Sequence, residues 1–244
     1  MALNDTVVER YITFGITGLS TLVDSLSAIR YSNVFVKRDE NGISSDFASQ
    51  DKFPRFGNNI DEVDKIASDI VKLYYKLVSE KNYYRNAKVK IGIDSNGMNI
   101  VYGKNTGATP DGRFSSVVLS TGANPTSNVD NNGILSALKS IIKIPKELCL
   151  NVIVTTLNVT PGALGTKKSE RSENIISLLD GFFENKGTHL EMNIIEKNEM
   201  LEAYNNGNKY SDFVIRNSGC AVRYSNLSSD QQDSLVDRTY HKVI

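Results

Sequence analysis

The sequence predicts an α/β protein in which helices cover a sheet, and three observations lead there. Strand-like and helix-like segments alternate from Leu148 onward. Two apolar stripes with helical spacing lie between Thr6 and Arg85. Near the end, Phe213 to Arg216 leads as a strand into a glycine segment, Ile215 to Tyr224. Size and composition agree, because 244 residues with 40% hydrophobic and 23% charged side chains can bury a core as one large or two small domains.

The elements follow in order. Thr6-Val7-Val8-Glu9 fits a capping box, and Ile12, Ile16, Leu19, Leu22, Val23, Leu26 and Ile29 then fall at helical spacing, which predicts one helix up to Arg30. Asp39-Glu40-Asn41-Gly42 reads as a turn, and Phe53 to Asn59 as an irregular loop. Val63, Ile66, Ala67, Ile70, Leu73, Tyr74, Leu77 and Val78 make the strongest stripe, an amphipathic helix running to about Arg85. Helical spacing disappears from Ile91 to about Asn128, where glycine, threonine, serine and asparagine dominate. Gly133 to Ile142 reads as a short helix stopped by Pro145, and Leu148 to Thr156 as a buried strand. Ser172 to Phe183 is helical, His189 to Ile195 strand-like, and Glu199 to Tyr204 a short helix. Ser228 and Ser229 cap a last helix from Asp230 to about His241.

Several function classes are excluded or disfavoured. Lysine plus arginine equals aspartate plus glutamate at 28 each, so no net field attracts nucleic acid or an anionic membrane. The start lacks a basic segment followed by an apolar run, and no later stretch is long enough to span a bilayer, which predicts a cytoplasmic protein. Cys149 and Cys220 are too few for a disulfide framework, and with His189 and His241 they form no zinc spacing, so no metal is expected. Gly162 to Ser169 sits where a phosphate loop would, but it lacks a glycine directly before Lys-Ser and the four-residue gap between glycines. No serine-histidine-acid order or paired carboxylates stand out, and His189 reads as a hydrogen-bonded structural residue.

Two loops and the tail remain distinctive: Thr109-Pro110-Asp111-Gly112-Arg113, Gly122-Ala123-Asn124-Pro125, and Ile215 to Arg223. With Gly15 to Ser20, Asp24 to Arg30, Phe56-Gly57-Asn58-Asn59, Asn174 to Phe182, His189-Leu190, Asp230-Gln231-Gln232-Asp233 and Arg238-Thr239, they resemble the pyruvate formate-lyase family of glycyl radical enzymes. The first segment is closer to pyruvate formate-lyase proper than to the diol dehydratase or choline-cleaving branches. The resemblance implies the carboxyl-terminal half of that family's α/β barrel, with residues 1–120 as barrel and residues 121–244 as the glycine radical domain.

By the same resemblance Gly219 is the catalytic radical site, with Ser218, Cys220 and Arg216 as neighbours in its loop. The resemblance implies no bound cofactor. A radical S-adenosylmethionine activating enzyme with an iron–sulfur cluster would take a hydrogen atom from the Gly219 α-carbon. Glycine suits this because no side chain hinders a planar α-carbon whose unpaired electron spreads onto the flanking amide nitrogen and carbonyl. In the family the glycyl radical passes its spin to a cysteine, and in pyruvate formate-lyase an adjacent cysteine pair splits pyruvate to formate and an acetyl thioester that passes to coenzyme A. Those cysteines, and the arginines gripping the substrate carboxylate, lie upstream of the part matched here. This sequence has no cysteine pair, Cys220 stands where close relatives have tyrosine, and Asn217 replaces a usual valine. Cys220 points away from the face that the family active site occupies, because successive residues of an extended run alternate. The implied protein is therefore an oxygen-sensitive, anaerobic formate acetyltransferase subunit completed by a chain that carries the amino-terminal half. Alternatives are a spare part docking into a full-length lyase damaged by oxygen, and a non-catalytic remnant that binds a partner. Uncovered sheet edges and apolar faces are expected in each case.

Overall fold

The computed structural model describes residues 8–95, 97–207, 210–217 and 219–244. The expected α/β architecture is present, built from short parallel strand pairs with helices packed over them. β1 (Tyr11–Ile16) lies parallel to β4 (Lys88–Ile93), in register from Tyr11 opposite Lys88 to Ile16 opposite Ile93. Residues 151–154 hydrogen-bond along the other side of β4. The chain then continues into β5 (Thr156–Val159), which is flanked in parallel by β6 (Glu191–Ile194) and β9 (Tyr240–His241).

The expected first helix is a correction, because its front half is strand β1 and only Leu19–Tyr31 forms a helix, α1. Ile12 and Ile16 satisfy both periodicities, but Ile12, Phe14 and Ile16 alternate with more exposed Tyr11, Thr13 and Gly15. Pairing with β4 decides the matter. The capping box begins at Thr6, outside the described residues, and Glu9 instead binds Lys88 and the Tyr11 hydroxyl. α1 buries Leu19 and Val23 together with Ser20, Thr21, Asp24, Ser25 and Ser27, and leaves Leu22, Leu26 and Ile29 exposed.

β2 (Val34–Arg38) and β3 (Ser44–Ser49) form an antiparallel hairpin around the expected turn, where the Asp39 carboxylate accepts the N–H groups of Asn41 and Ile43. α2 (Asp61–Ser79) starts with Asp61, Glu62 and Asp64, favourable at the positive end of a helix dipole, and ends before the expected Arg85. Its stripe packs Val63, Ile66, Ala67 and Val71 into the first core with Phe56, Ile91 and Ile93, but Leu73 and Leu77 near its end are exposed.

The region from Ile91 to Asn128 is more regular than its composition predicts, since it holds the second half of β4 and a helix, α3 (Met98–Lys104). α4 (Ile134–Ile142) and α5 (Lys168–Glu184) cover β5 in a second core containing Leu138, Leu157, Val159, Leu178 and Phe182. The strand expected over residues 148–156 is displaced, with regular structure beginning at Thr156. A third core joins α6 (Lys197–Asn205), α7 (Ser229–Val236) and the terminal hairpin through Met200, Ile215, Tyr224 and Leu235. Ser228 caps α7 as expected, in a capping box with Gln231. That helix stops at Val236, because Tyr240 and His241 continue the sheet beside β5.

Candidate functional site

The glycine segment is a tight antiparallel hairpin, β7 (Val214–Asn217) and β8 (Cys220–Arg223), in which Asn217 pairs with Cys220 across a two-residue turn. Gly219 sits in that turn at φ 88°, a left-handed conformation that favours glycine, and among the described residues other than its chain neighbours no atom lies within 4 Å of where a Cβ would stand. Ser218, expected as a neighbour in the loop, lies outside the described residues. Cys220 and Arg216 are exposed, and Ile215 anchors the hairpin in the third core.

Side chains from neighbouring strands hold the hairpin. Glu191 and Asn193 alternate on one face of β6, so both reach the same neighbour. The Gly219 N–H donates to Glu191 Oε2 at 2.9 Å. Asn193 clasps the Arg216 peptide groups, accepting the N–H at 2.8 Å and donating to the carbonyl at 2.9 Å. Arg238, next to β9, donates from Nη2 to Asn217 Oδ1 at 2.7 Å. Burial pulls the Arg238 pKa down to about 10, opposed by Tyr240 and by the Glu191 carboxylate, so it stays cationic at neutral pH.

The support extends inward. Thr156 Oγ1 donates to Glu191 Oε2 at 2.8 Å, the Thr156 N–H donates to Asn124 Oδ1 at 2.9 Å, and Ser20 Oγ on α1 donates to the Asn124 carbonyl. The two distinctive loops converge on α1 as well. Ser25 Oγ donates to Asp111 Oδ1 at 3.2 Å, Arg55 donates to the Asp111 carbonyl at 2.8 Å, and Thr21 and Ser120 exchange backbone-to-hydroxyl bonds at 3.1 and 3.0 Å. The Arg113 guanidinium is consumed by Thr109 and by the carbonyls of its own loop, among them Val117 at 2.6 Å. Their work is therefore to fix the backbone that carries Asn124.

Neither cysteine is built as a thiyl carrier beside Gly219. Burial, with Glu147 adding to it, pushes the Cys149 thiol up to about 12, and Cys149 lies in the first core. Cys220 is on the exposed outer strand of the hairpin. His189 Nδ1 accepts the Thr155 N–H at 3.4 Å, the structural part expected of it. At the would-be phosphate loop, the N–H groups of Thr166 and Lys167 are taken by Glu170 at 2.8 and 3.2 Å. Among the described residues no group of three potential metal ligands converges, and no helix is long and apolar enough to cross a membrane.

Two family models match the chain in sequence order: Pyruvate formate lyase-like over residues 1–103, and Glycine radical over residues 119–225, which contains the hairpin. The chain belongs to the glycyl radical enzymes. It corresponds to the carboxyl-terminal part of that family. The PFL-like enzyme TdcE of Escherichia coli (strain K12) is 39% identical over 249 residues, spanning 100% of this chain and 33% of the relative. Among solved structures, the glycerol-bound B12-independent glycerol dehydratase of Clostridium butyricum superposes with a TM-score of 0.80 at 28% identity, covering 96% of this chain and 31% of that one. Hydroxyproline dehydratase of Clostridioides difficile, with trans-4-hydroxy-L-proline bound, gives 0.79 at 26% identity, covering 95% and 31%. The chain thus spans about a third of the length of these relatives.

The sequence points to Gly219 and its neighbours, whereas Glu191 and Asn193 carry no mark of a site in it and Arg238 only that of the Arg238-Thr239 pair. The segment His189 to Ile195 reads as a strand, and within it Glu191 and Asn193 are only 7% and 8% exposed. A glutamate and an asparagine two apart in a short strand were the available signal.

Proposed function

We propose that this chain is the radical-bearing part of a formate C-acetyltransferase, with the radical stored on Gly219 after activation by a radical S-adenosylmethionine enzyme. The observation that carries the reading is the Gly219 turn: a left-handed glycine, open at its α-carbon and fixed at its nitrogen, within the matched glycine radical segment. Loss of one hydrogen atom leaves an α-carbon that can flatten without displacing a side chain. The unpaired electron then spreads between the Gly219 nitrogen and carbonyl.

The reaction needs an adjacent cysteine pair, and this chain has none, Cys149 being buried in the first core and Cys220 standing alone on the exposed strand of the hairpin. The cysteines and carboxylate-binding groups therefore reside on a polypeptide equivalent to the part of the relatives not matched here. Exposed Leu22, Leu26 and Ile29 on α1, and β1 paired with β4 alone among the described strands, give that polypeptide an apolar face and a strand edge to cover. Pyruvate and coenzyme A as substrates rest on the 39% identity to a PFL-like enzyme. A dehydratase reading is favoured by the superposition on glycerol and hydroxyproline dehydratases. Anaerobic activation followed by reconstitution with the complementary polypeptide separates the two. Formate and acetyl-coenzyme A from pyruvate support the first reading, and turnover of a diol or hydroxyproline without formate rejects it.

A further inference from the structure

We propose that Glu191 is the positioning residue of the radical glycine, its carboxylate fixing the Gly219 peptide nitrogen and raising that nitrogen's electron density; the proposal rests on the assignment of the radical to Gly219. One atom, Glu191 Oε2, accepts both the Gly219 N–H at 2.9 Å and the Thr156 hydroxyl at 2.8 Å. Glu191 is 7% exposed, and among the described residues it makes no ion pair, although the Arg238 charge acts on it from a distance.

A buried carboxylate without a contacting cation is costly, and a neutral amide could accept the same N–H bond. What a carboxylate adds is charge. A charge-assisted bond is about twice as strong as a neutral one. Drawing the N–H proton toward an anion makes the nitrogen a better electron donor to the half-filled orbital at the adjacent α-carbon, so the radical is stabilised from the nitrogen side. Orientation is supplied from behind, because Thr156 is locked to Asn124 and Asn124 to Ser20 of α1. The first helix is thereby linked to the radical turn through four side chains, none of them a cysteine.

The test uses the full chain and two variants. Glu191→Gln keeps shape and acceptor but removes the charge, and Thr156→Val removes the orienting hydroxyl. In the unactivated protein, the Gly219 amide proton resonance moves upfield in Glu191→Gln. After anaerobic activation with S-adenosylmethionine, reductant and activating enzyme, the glycine doublet forms in all three proteins. Its lifetime is about fivefold shorter in Glu191→Gln, following the strength lost when a charged acceptor becomes neutral, with a smaller decrease in Thr156→Val. The exchangeable N–H hyperfine coupling of the doublet, read by electron–nuclear double resonance in H2O and D2O, changes in Glu191→Gln. A residue that only braces the fold would not move that coupling. An unchanged amide resonance, or a doublet with wild-type lifetime and coupling in Glu191→Gln, would overturn the proposal. Absence of a doublet in the wild type overturns the Gly219 assignment, and the amide resonance then decides separately whether Glu191 holds that nitrogen.

Discussion

Replacing Asp24 by asparagine should stabilise this protein at neutral and alkaline pH and remove one pH dependence of folding. Asp24 lies inside α1 with no exposed surface, and its Oδ1 accepts the Phe56 N–H at 2.8 Å. Burial raises its pKa from 3.8 to about 7 against the lowering effects of the Phe56 N–H and of Arg55, whose Nη1 is 3.7 Å away. For an acid with a raised folded pKa, stability is fully present below the unfolded pKa and is lost as pH climbs through the folded one. Between pH 4 and 7 the unfolded chain has released the proton and the folded chain retains it, so stability falls by up to about 1.4 kcal/mol per unit. A shift of about three units amounts to ~4 kcal/mol once pH exceeds 7. Asparagine is nearly isosteric with the neutral carboxyl and keeps the acceptor for Phe56. Asp24→Asn should therefore match the wild type near pH 4 and exceed it by up to about 4 kcal/mol at pH 8. Urea denaturation of both proteins at unit steps from pH 4 to 8 reads this directly, because other carboxylates cancel in the difference. A difference that stays constant with pH would refute the reasoning.

Other consequences can be checked alongside it. A Cβ on Gly103 would stand 2.6 Å from the Val117 carbonyl and 2.7 Å from Val118 Cα, so Gly103→Ala should cost about 2–3 kcal/mol by thermal or urea unfolding. Asn193→Ala removes both clasps on Arg216, roughly 2 kcal/mol of hairpin stability, so amide exchange over residues 214–223 should quicken about thirtyfold while α2 is unaffected. A thiol reagent should label exposed Cys220 in the native protein and spare Cys149, whose thiol is buried and raised to about 12. Native labelling of Cys149 would show that the first core is open.

Local patterns foretold what local physics decides. The α2 stripe, the Asp39 turn, the Ser228 cap and the strand entering the glycine turn are each specified within a few residues, and each is present. The errors share a different cause. Ile12 and Ile16 could serve a helix or a strand, and only the pairing of β1 with β4, more than seventy residues away, selects the strand. Tyr240 and His241 could extend α7, and only the vacant side of β5 draws them into the sheet. The site divides in the same way. Gly219 announces itself because its turn needs glycine. Glu191, Asn193 and Arg238 acquire their part from where β6 and β9 lie beside the hairpin, which no local spacing encodes. The Thr109 to Arg113 and Gly122 to Pro125 loops were legible as family marks, but their physical task, stitching α1 to the support of Glu191, needed the tertiary contacts.

The central claim is that Gly219 can carry a radical, and electron paramagnetic resonance of the anaerobically activated chain tests it most directly. The account predicts a glycine-centred doublet that is absent from Gly219→Ala, with air exposure cutting the wild-type chain at residue 219 and leaving the variant intact. No doublet under conditions that activate a full-length relative, or equal cleavage of both proteins in air, would contradict it.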